Sequence, residues 1–161
     1  MITTLKFAYS LSMTFWIGSI FFFSMFAAPS IFKVLTRDQA GNVVSEIFPK
    51  YYMLSYICGA VALLSSILLI YFWSTFSSTY SIIKIASLLI MLGLAVYAGE
   101  VNRPEAYKVK TEMRSYEEGS QEYAEVHKKF RHLHRISALT NGAIFIIGIA
   151  LVLLSAYTNR E

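Results

Sequence analysis

The sequence predicts an all-α integral membrane protein, a four-helix bundle, and three observations carry that prediction. The 161 residues are 56% hydrophobic and 16% aromatic, with a mean hydropathy of +0.53, more apolar than the composition of an ordinary soluble domain. The apolar residues gather in four runs, at about 4–28, 51–73, 82–99 and 136–157, each near the ~20 residues that cross ~30 Å of hydrocarbon as a helix. None of the runs alternates polar and apolar residues as barrel strands do, and in lipid a helix satisfies every backbone amide within its own segment. A single four-span domain over residues 1–161 follows.

The first run has only Lys6 near its start and is too long for the apolar core of a secretory signal, so it reads as a retained span. After it, Thr36-x-x-Gln39 has the form of a capping box. Ala40, Val43, Val44, Ile47 and Phe48 then recur at helical spacing, with Asp38, Asn42 and Glu46 between them. This predicts an amphipathic helix in the first loop, lying in the headgroup plane or folded onto the bundle, with Pro49 in the first turn of the second span. The second run carries Cys58, the only cysteine, which excludes an intrachain disulfide. The turn Ser74–Ser81 is short, uncharged and rich in Ser and Thr, as suits a simple connection between antiparallel neighbours.

Arg103-Pro104 is expected to end the third span, residues 105–115 to form a short helix, and Glu117-Glu118-Gly119-Ser120 to break it. Tyr123, Val126, Phe130, Leu133 and Ser137 then recur every three or four residues, which predicts one helix from about Ser120 through the fourth span and extending into the cytoplasm. Small residues four apart, Ser24 with Ala28, Ala95 with Gly99 and Ala138 with Gly142, are expected to be seams where helices approach closely.

Charge gives an orientation. Three Lys and Arg lie between the first two spans (Lys33, Arg37, Lys50) and eight between the last two (Arg103, Lys108, Lys110, Arg114, Lys128, Lys129, Arg131, Arg135), out of 14. The other side has Lys6, Lys84 and Arg160. The positive-inside rule therefore places loops 29–50 and 100–135 in the cytoplasm and both termini outside, in a plasma membrane, the inner membrane of a bacterium. Tyr51, Tyr52 and Tyr97 on one side and Tyr71, Trp73, Phe76 and Tyr80 on the other are expected to be interfacial anchors. The net charge of +4 beside apolar spans points to the bilayer and its anionic headgroups as partners rather than to nucleic acid.

The densest polar cluster opens the fourth span. His134, Ser137 and Asn141 are three and then four residues apart, so they share one helix face. His127 lies seven residues before His134, about 10 Å along the axis, too far for both to bind one metal, and His132 points elsewhere. Glu100 and Arg103 end the third span three residues apart, favouring an ion pair, with a Glu100–His134 proton relay as the alternative. Together with Tyr51 and Tyr97 at similar depth, these residues form the predicted binding set: His134, Ser137, Asn141, Glu100, Arg103, Tyr97 and Tyr51. Met25, Met53 and Cys58 are a weaker candidate set of soft ligands for a Cu(I)-like ion. No catalytic nucleophile motif, phosphate loop or paired carboxylates stand out, so an enzyme is the less expected class, and no particular cofactor or metal is indicated.

Five elements resemble the transmembrane protein 205-like family, proteins with a domain of unknown function. They are Phe15-Trp16-Ile17-Gly18-Ser19, Ala28-Pro29-x-x-Phe32, Arg37-x-x-Ala40-Gly41, Ile47-Phe48-Pro49-x-Tyr51-Tyr52 and Phe130-x-x-x-His134-x-x-Ser137-x-x-x-Asn141. The resemblance implies a small four-helix membrane protein with its signature residues at the cytoplasmic span ends and no established reaction. Some members are associated with tolerance to metal-containing drugs, which implies transport or export.

Three functions are therefore expected in order. The first is a small-solute or metal-linked transport, tolerance or accessory protein, acting as a homo-oligomer because four helices enclose little. The second is a membrane oxidoreductase that binds haem or porphyrin near His134. The third is a scaffold or assembly subunit whose basic loops bind anionic lipid or a partner.

Overall fold

A computed structural model describes residues 1–72 and 78–158. Every regular element among them is helical: α1 (Ile2–Phe22), α2 (Ala28–Val34), α3 (Arg37–Phe72), α4 (Ser78–Val96), α5 (Arg103–Met113) and α6 (Gln121–Thr158). A π-helical turn at Phe23–Ala27 joins α1 to α2, and another at Tyr97–Asn102 joins α4 to α5. Four continuous rods result, Ile2–Val34, Arg37–Phe72, Thr79–Met113 and Gln121–Tyr157, each long and apolar enough to cross a membrane. Residues 73–77, with the expected anchors Trp73 and Phe76 and the start of the expected outer turn, and Arg160 lie outside the described residues.

The amphipathic segment of the first loop is not a separate helix. Thr36 and Gln39 do form the capping box: the Thr36 N–H donates to Gln39 Oε1 at 3.3 Å and the Gln39 N–H to Thr36 Oγ at 3.4 Å. But α3 starts there and runs without interruption through Pro49 to Phe72. The physical reason is register. Ala40, Val44, Ile47, Tyr51, Ser55, Cys58 and Ala62 continue one stripe at helical spacing, so the loop segment and the span turn the same face to the bundle. One lost N–H at Pro49 does not outweigh that shared face.

Arg103-Pro104 likewise does not end the third rod. The π-helical turn shifts the hydrogen-bond register so that α5 restarts at Arg103, and Pro104 falls in its first turn, where no N–H is needed. The chain reverses after Met113, as expected from the sequence. Gly119 at φ +98° takes a left-handed conformation that other residues adopt only with strain. Ser120 Oγ then accepts from the Tyr123 N–H at 3.1 Å and caps α6.

The rods pack in a ring: α1 on α3, α3 on α4, α4 on α6, and α6 back on α1. Trp16, Met13, Leu88, Met91 and Ile144 are essentially inaccessible at its centre. Large apolar side chains such as Phe7, Phe22, Leu64, Ile146 and Leu153 point outward, as a lipid-facing surface requires.

Of the three expected small-residue seams, only Ala95 with Gly99 is buried. Ser24 and Ala138 are exposed, and a side chain at Gly142 meets open space. Tyr51 and Tyr52 are buried too, so they are packing residues rather than interfacial anchors. Lys84, counted from the sequence only as an outer charge, is buried with its Nζ 3.6 Å from the Tyr9 ring centroid. The Tyr9 and Tyr80 hydroxyls both lie within hydrogen-bond distance of Ser155 Oγ, at 3.4 and 3.2 Å. A cation over an aromatic face away from water contributes about 2 kcal/mol or more.

Candidate functional site

At the ends of the rods that carry most of the basic residues, side chains such as Arg114 on Asp38 bridge the end of α5 to α3 with space left between the helices. There α2 packs on α3, and α5 packs on α6. The space between these pairs is a cavity of about 1090 Å³. Three helices supply most of its lining, each with one face, and Phe23, Ala28 and Phe32 of the first rod add to it. From α3 come Arg37, Gly41, Ser45, Phe48 and Tyr52; from α5, Arg103, Tyr107, Lys110 and Met113; from α6, Tyr123, His127, Phe130, His134 and Ser137. Within each set the residues recur at three or four positions, the spacing that keeps side chains on one side of an α-helix.

The cavity's polar wall is built on amide groups at the helix interfaces. Asn141 sits behind it: Tyr51 donates its hydroxyl proton to Asn141 Oδ1 at 2.9 Å, and Asn141 Nδ2 donates to the Tyr52 hydroxyl at 3.5 Å and to the Ser137 carbonyl at 3.0 Å. Asn102, 2% exposed, donates from Nδ2 to the Leu133 carbonyl at 3.1 Å and to Ser137 Oγ at 2.6 Å. The carbonyl contact fixes that amide's orientation, because an oxygen turned toward Leu133 O would face another acceptor. Asn102 Oδ1 is left buried without a donor.

Replacing Asn141 with leucine tests this network. It strands the buried Tyr51 hydroxyl, and the expected loss is about 1 kcal/mol, within the ~0.6–1.7 kcal/mol measured for hydrogen bonds between membrane helices. Unfolding of Asn141→Leu in detergent should therefore occur earlier than in the unaltered protein. In Tyr51→Phe/Asn141→Leu most of the loss should be recovered, and additive losses would show that the two side chains are not coupled.

The cationic side chains of the cavity are unequally partnered. Arg114 forms an ion pair with Asp38 at 2.8 Å and donates to Asn42 Oδ1 at 2.7 Å. Lys110 reaches only neutral acceptors, Asn42 Oδ1 and Ser45 Oγ, both at 3.3 Å. It lies beyond the apolar span, and burial, foremost, with the neighbouring Arg114 guanidinium, pushes its ammonium below the usual lysine range against the pull of Asp38. Arg103 donates from Nε to the Gly99 carbonyl at 3.0 Å.

Of the predicted set, Arg103, His134 and Ser137 line the cavity, while Asn141 and Tyr51 stand behind its wall. Glu100 and Tyr97 do not line it. Glu100 accepts from the Tyr56 hydroxyl at 2.9 Å, and Tyr97 is 43% exposed. The expected Glu100–Arg103 ion pair is not among the ion pairs of the described residues. The π-helical turn at Tyr97–Asn102 is the cause, since one extra residue per turn rotates Glu100 away from the face that carries Arg103.

His127, outside the predicted binding set, lines the cavity as well: seven residues are two turns, so His127 and His134 share a face while staying ~10 Å apart. Tyr52 and Lys110 were absent from the predicted set. The signal for both lies in the helical spacing, Tyr52 one turn beyond Phe48 and Lys110 two turns beyond Arg103. Met25 and Met53 are exposed on the outside while Cys58 is buried, so the soft-ligand trio does not converge. Among the described residues, no three His, Cys, Asp or Glu side chains gather as metal ligands.

Comparison with known proteins places this geometry in context. A family model described as "Domain of unknown function (DUF4149)" matches residues 11–115, which include the cavity faces of α3 and α5 but not α6. An "Uncharacterized protein" of Aquifex aeolicus (strain VF5) is 45% identical over 51 residues, which are 32% of this chain and 39% of that relative. The chain thus spans about two fifths of that relative's length. No solved structure matches.

Proposed function

The chain belongs to the family defined by the domain of unknown function DUF4149, and from that premise we propose that it is a small membrane protein that binds a solute in the cavity at its basic end, as a transporter or as an accessory to one. The observation that carries this reading is the cavity itself. At about 1090 Å³ it is slightly larger than the ~300–1,000 Å³ typical of small-molecule sites. Its lining joins aromatic side chains to charged and polar ones, Arg103, Lys110 and His134 among them, which suits a solute with both an apolar and a charged part. The narrower likeness to transmembrane protein 205-like proteins, with its implied export role, belongs to this proposal, as does a homo-oligomer that supplies a pathway four helices alone do not enclose.

In the orientation we propose, the cavity opens to the cytoplasm, both termini lie outside, and the membrane is the plasma membrane. The asymmetry of Lys and Arg supports this. Reporter fusions at the C-terminus should be active only in their extracytoplasmic form, and activity of a cytoplasmic reporter there would reverse the assignment.

The lone buried Cys58 makes a direct test of the cavity simple. In a Cys58→Ala background, Ser45→Cys should react with a water-soluble maleimide from the basic side of the membrane, while Ile146→Cys on the outward face should not. Reconstituted protein should bind or move solute, with Ser45→Cys labelling blocking it. An unreactive Ser45→Cys would remove the cavity as a solute site.

A further inference from the structure

We propose that the solute is a phosphate-bearing amphiphile, its acidic headgroup drawn into the cavity by the unpaired cations Arg103 and Lys110 and the start of its apolar chain covered by Phe23, Phe48 and Phe130. This inference rests on the cavity being a solute site and specifies the chemistry of the occupant.

Charge is the first argument. The ion pairs of the described residues are Arg114–Asp38 and Lys129–Glu105. Asp38 is therefore already occupied by Arg114, and neither Arg103 nor Lys110 takes part in an ion pair. These two cations are seven residues apart on α5, two turns on one face, and both line the cavity in half-buried positions. Unpaired cations held out of bulk water favour an anion, and a guanidinium fork matches phosphate oxygens in a way that few other ligands exploit.

Hydrogen bonding is the second. Arg103 keeps guanidinium N–H groups beyond its Nε bond to Gly99, and Lys110 keeps an ammonium N–H beyond its two neutral acceptors. Two cationic donors on the same cavity suit an acceptor-only group such as phosphate.

Size and apolar lining are the third. A cavity of about 1090 Å³ is far larger than an inorganic ion needs, and much of its wall is aromatic. Phe32, 51% exposed, lines its edge, and Met25 and Phe26 beside it on the same rod face outward. That edge gives an apolar chain a route from the bilayer, whereas a free phosphate would leave the aromatic wall in contact with water.

The test uses the full chain in detergent, titrated with dioctanoyl phosphatidate, with dioctanoyl phosphatidylcholine and with inorganic phosphate, and read by calorimetry and thermal stability. Phosphatidate should bind and raise the unfolding temperature, and the matched zwitterionic lipid should bind at least about tenfold more weakly. Lys110→Gln and Arg103→Gln should each weaken phosphatidate about tenfold, Phe130→Ala should weaken it as well, and Lys129→Gln should leave it unchanged. Arg103 also holds the Gly99 carbonyl, so if Arg103→Gln does not fold, Lys110→Gln decides.

Equal binding of the two lipids, or unchanged binding by Lys110→Gln, would overturn the phosphate assignment. Inorganic phosphate binding as tightly as phosphatidate would replace the amphiphile with a soluble anion. If Ser45→Cys is reactive but phosphatidate does not bind, this inference fails while the cavity reading stands. If Ser45→Cys is also unreactive, both fail.

Discussion

Gly99→Ala is expected to destabilise the bundle by about 1–3 kcal/mol, the usual cost of forcing an extra carbon into a packed interior. A Cβ at this position would overlap the Tyr56 hydroxyl and lie 2.9 Å from Tyr52 Cγ. The two neighbours differ in what they can give. Tyr56 can swing its hydroxyl away by abandoning Glu100. Tyr52 cannot move as easily, because it is 2% exposed and its ring is wedged between Phe48 and Tyr51, at centroid distances of 6.0 and 5.2 Å. The strain therefore falls on the α3 contact with the π-helical turn, next to the cavity wall.

Unfolding of Gly99→Ala in detergent, followed by circular dichroism, should show the loss. Adding Tyr56→Phe removes one of the two clashes and should restore part of it. A Gly99→Ala protein as stable as the original would show that the two rods are not in contact there.

Trp16→Ala should cost on the order of 3 kcal/mol. The ring is fully buried, and Gly59 provides the room for it: a Cβ on Gly59 would lie 3.0 Å from two of the ring carbons. Deleting a buried aromatic side chain costs ~3–5 kcal/mol in soluble proteins. The low end applies here because the reference state of a separated helix is lipid rather than water, so lost packing remains while much of the transfer cost does not. Trp16→Phe should recover much of the loss. It should also remove the ring N–H that Trp16 buries without a partner. If Trp16→Ala unfolds no earlier than the original, the ring does not hold α1 to α3.

The helices and their reversals were legible in the sequence because their causes are local. The span lengths, the capping box at Thr36, the break before Gln121 and the α6 stripe each follow from patterns within a few turns. The errors arose where a local breaker met a longer-range preference. Pro49 and Pro104 read as helix boundaries, yet α3 runs through the first, and the second falls in the first turn of α5, where a π-helical turn has reset the register. In the candidate site, His134, Ser137 and Arg103 were found by their spacing, and Glu100 was misplaced. Its direction depends on the π-helical turn at Tyr97–Asn102, which no residue pattern announced.

By itself the sequence determined that this chain is made of four membrane-length helices with a strongly basic end, because hydrophobic length and charge act through the solvent and need no tertiary contact. Only the tertiary structure decided which polar groups meet. The π-helical turn at Tyr97–Asn102 rotates Glu100 away and carries Asn102 to Ser137, and the divergence of α2 and α3 from α5 and α6 opens the cavity. Those outcomes depend on how side chains on different rods fit together, which periodicity along one rod does not encode.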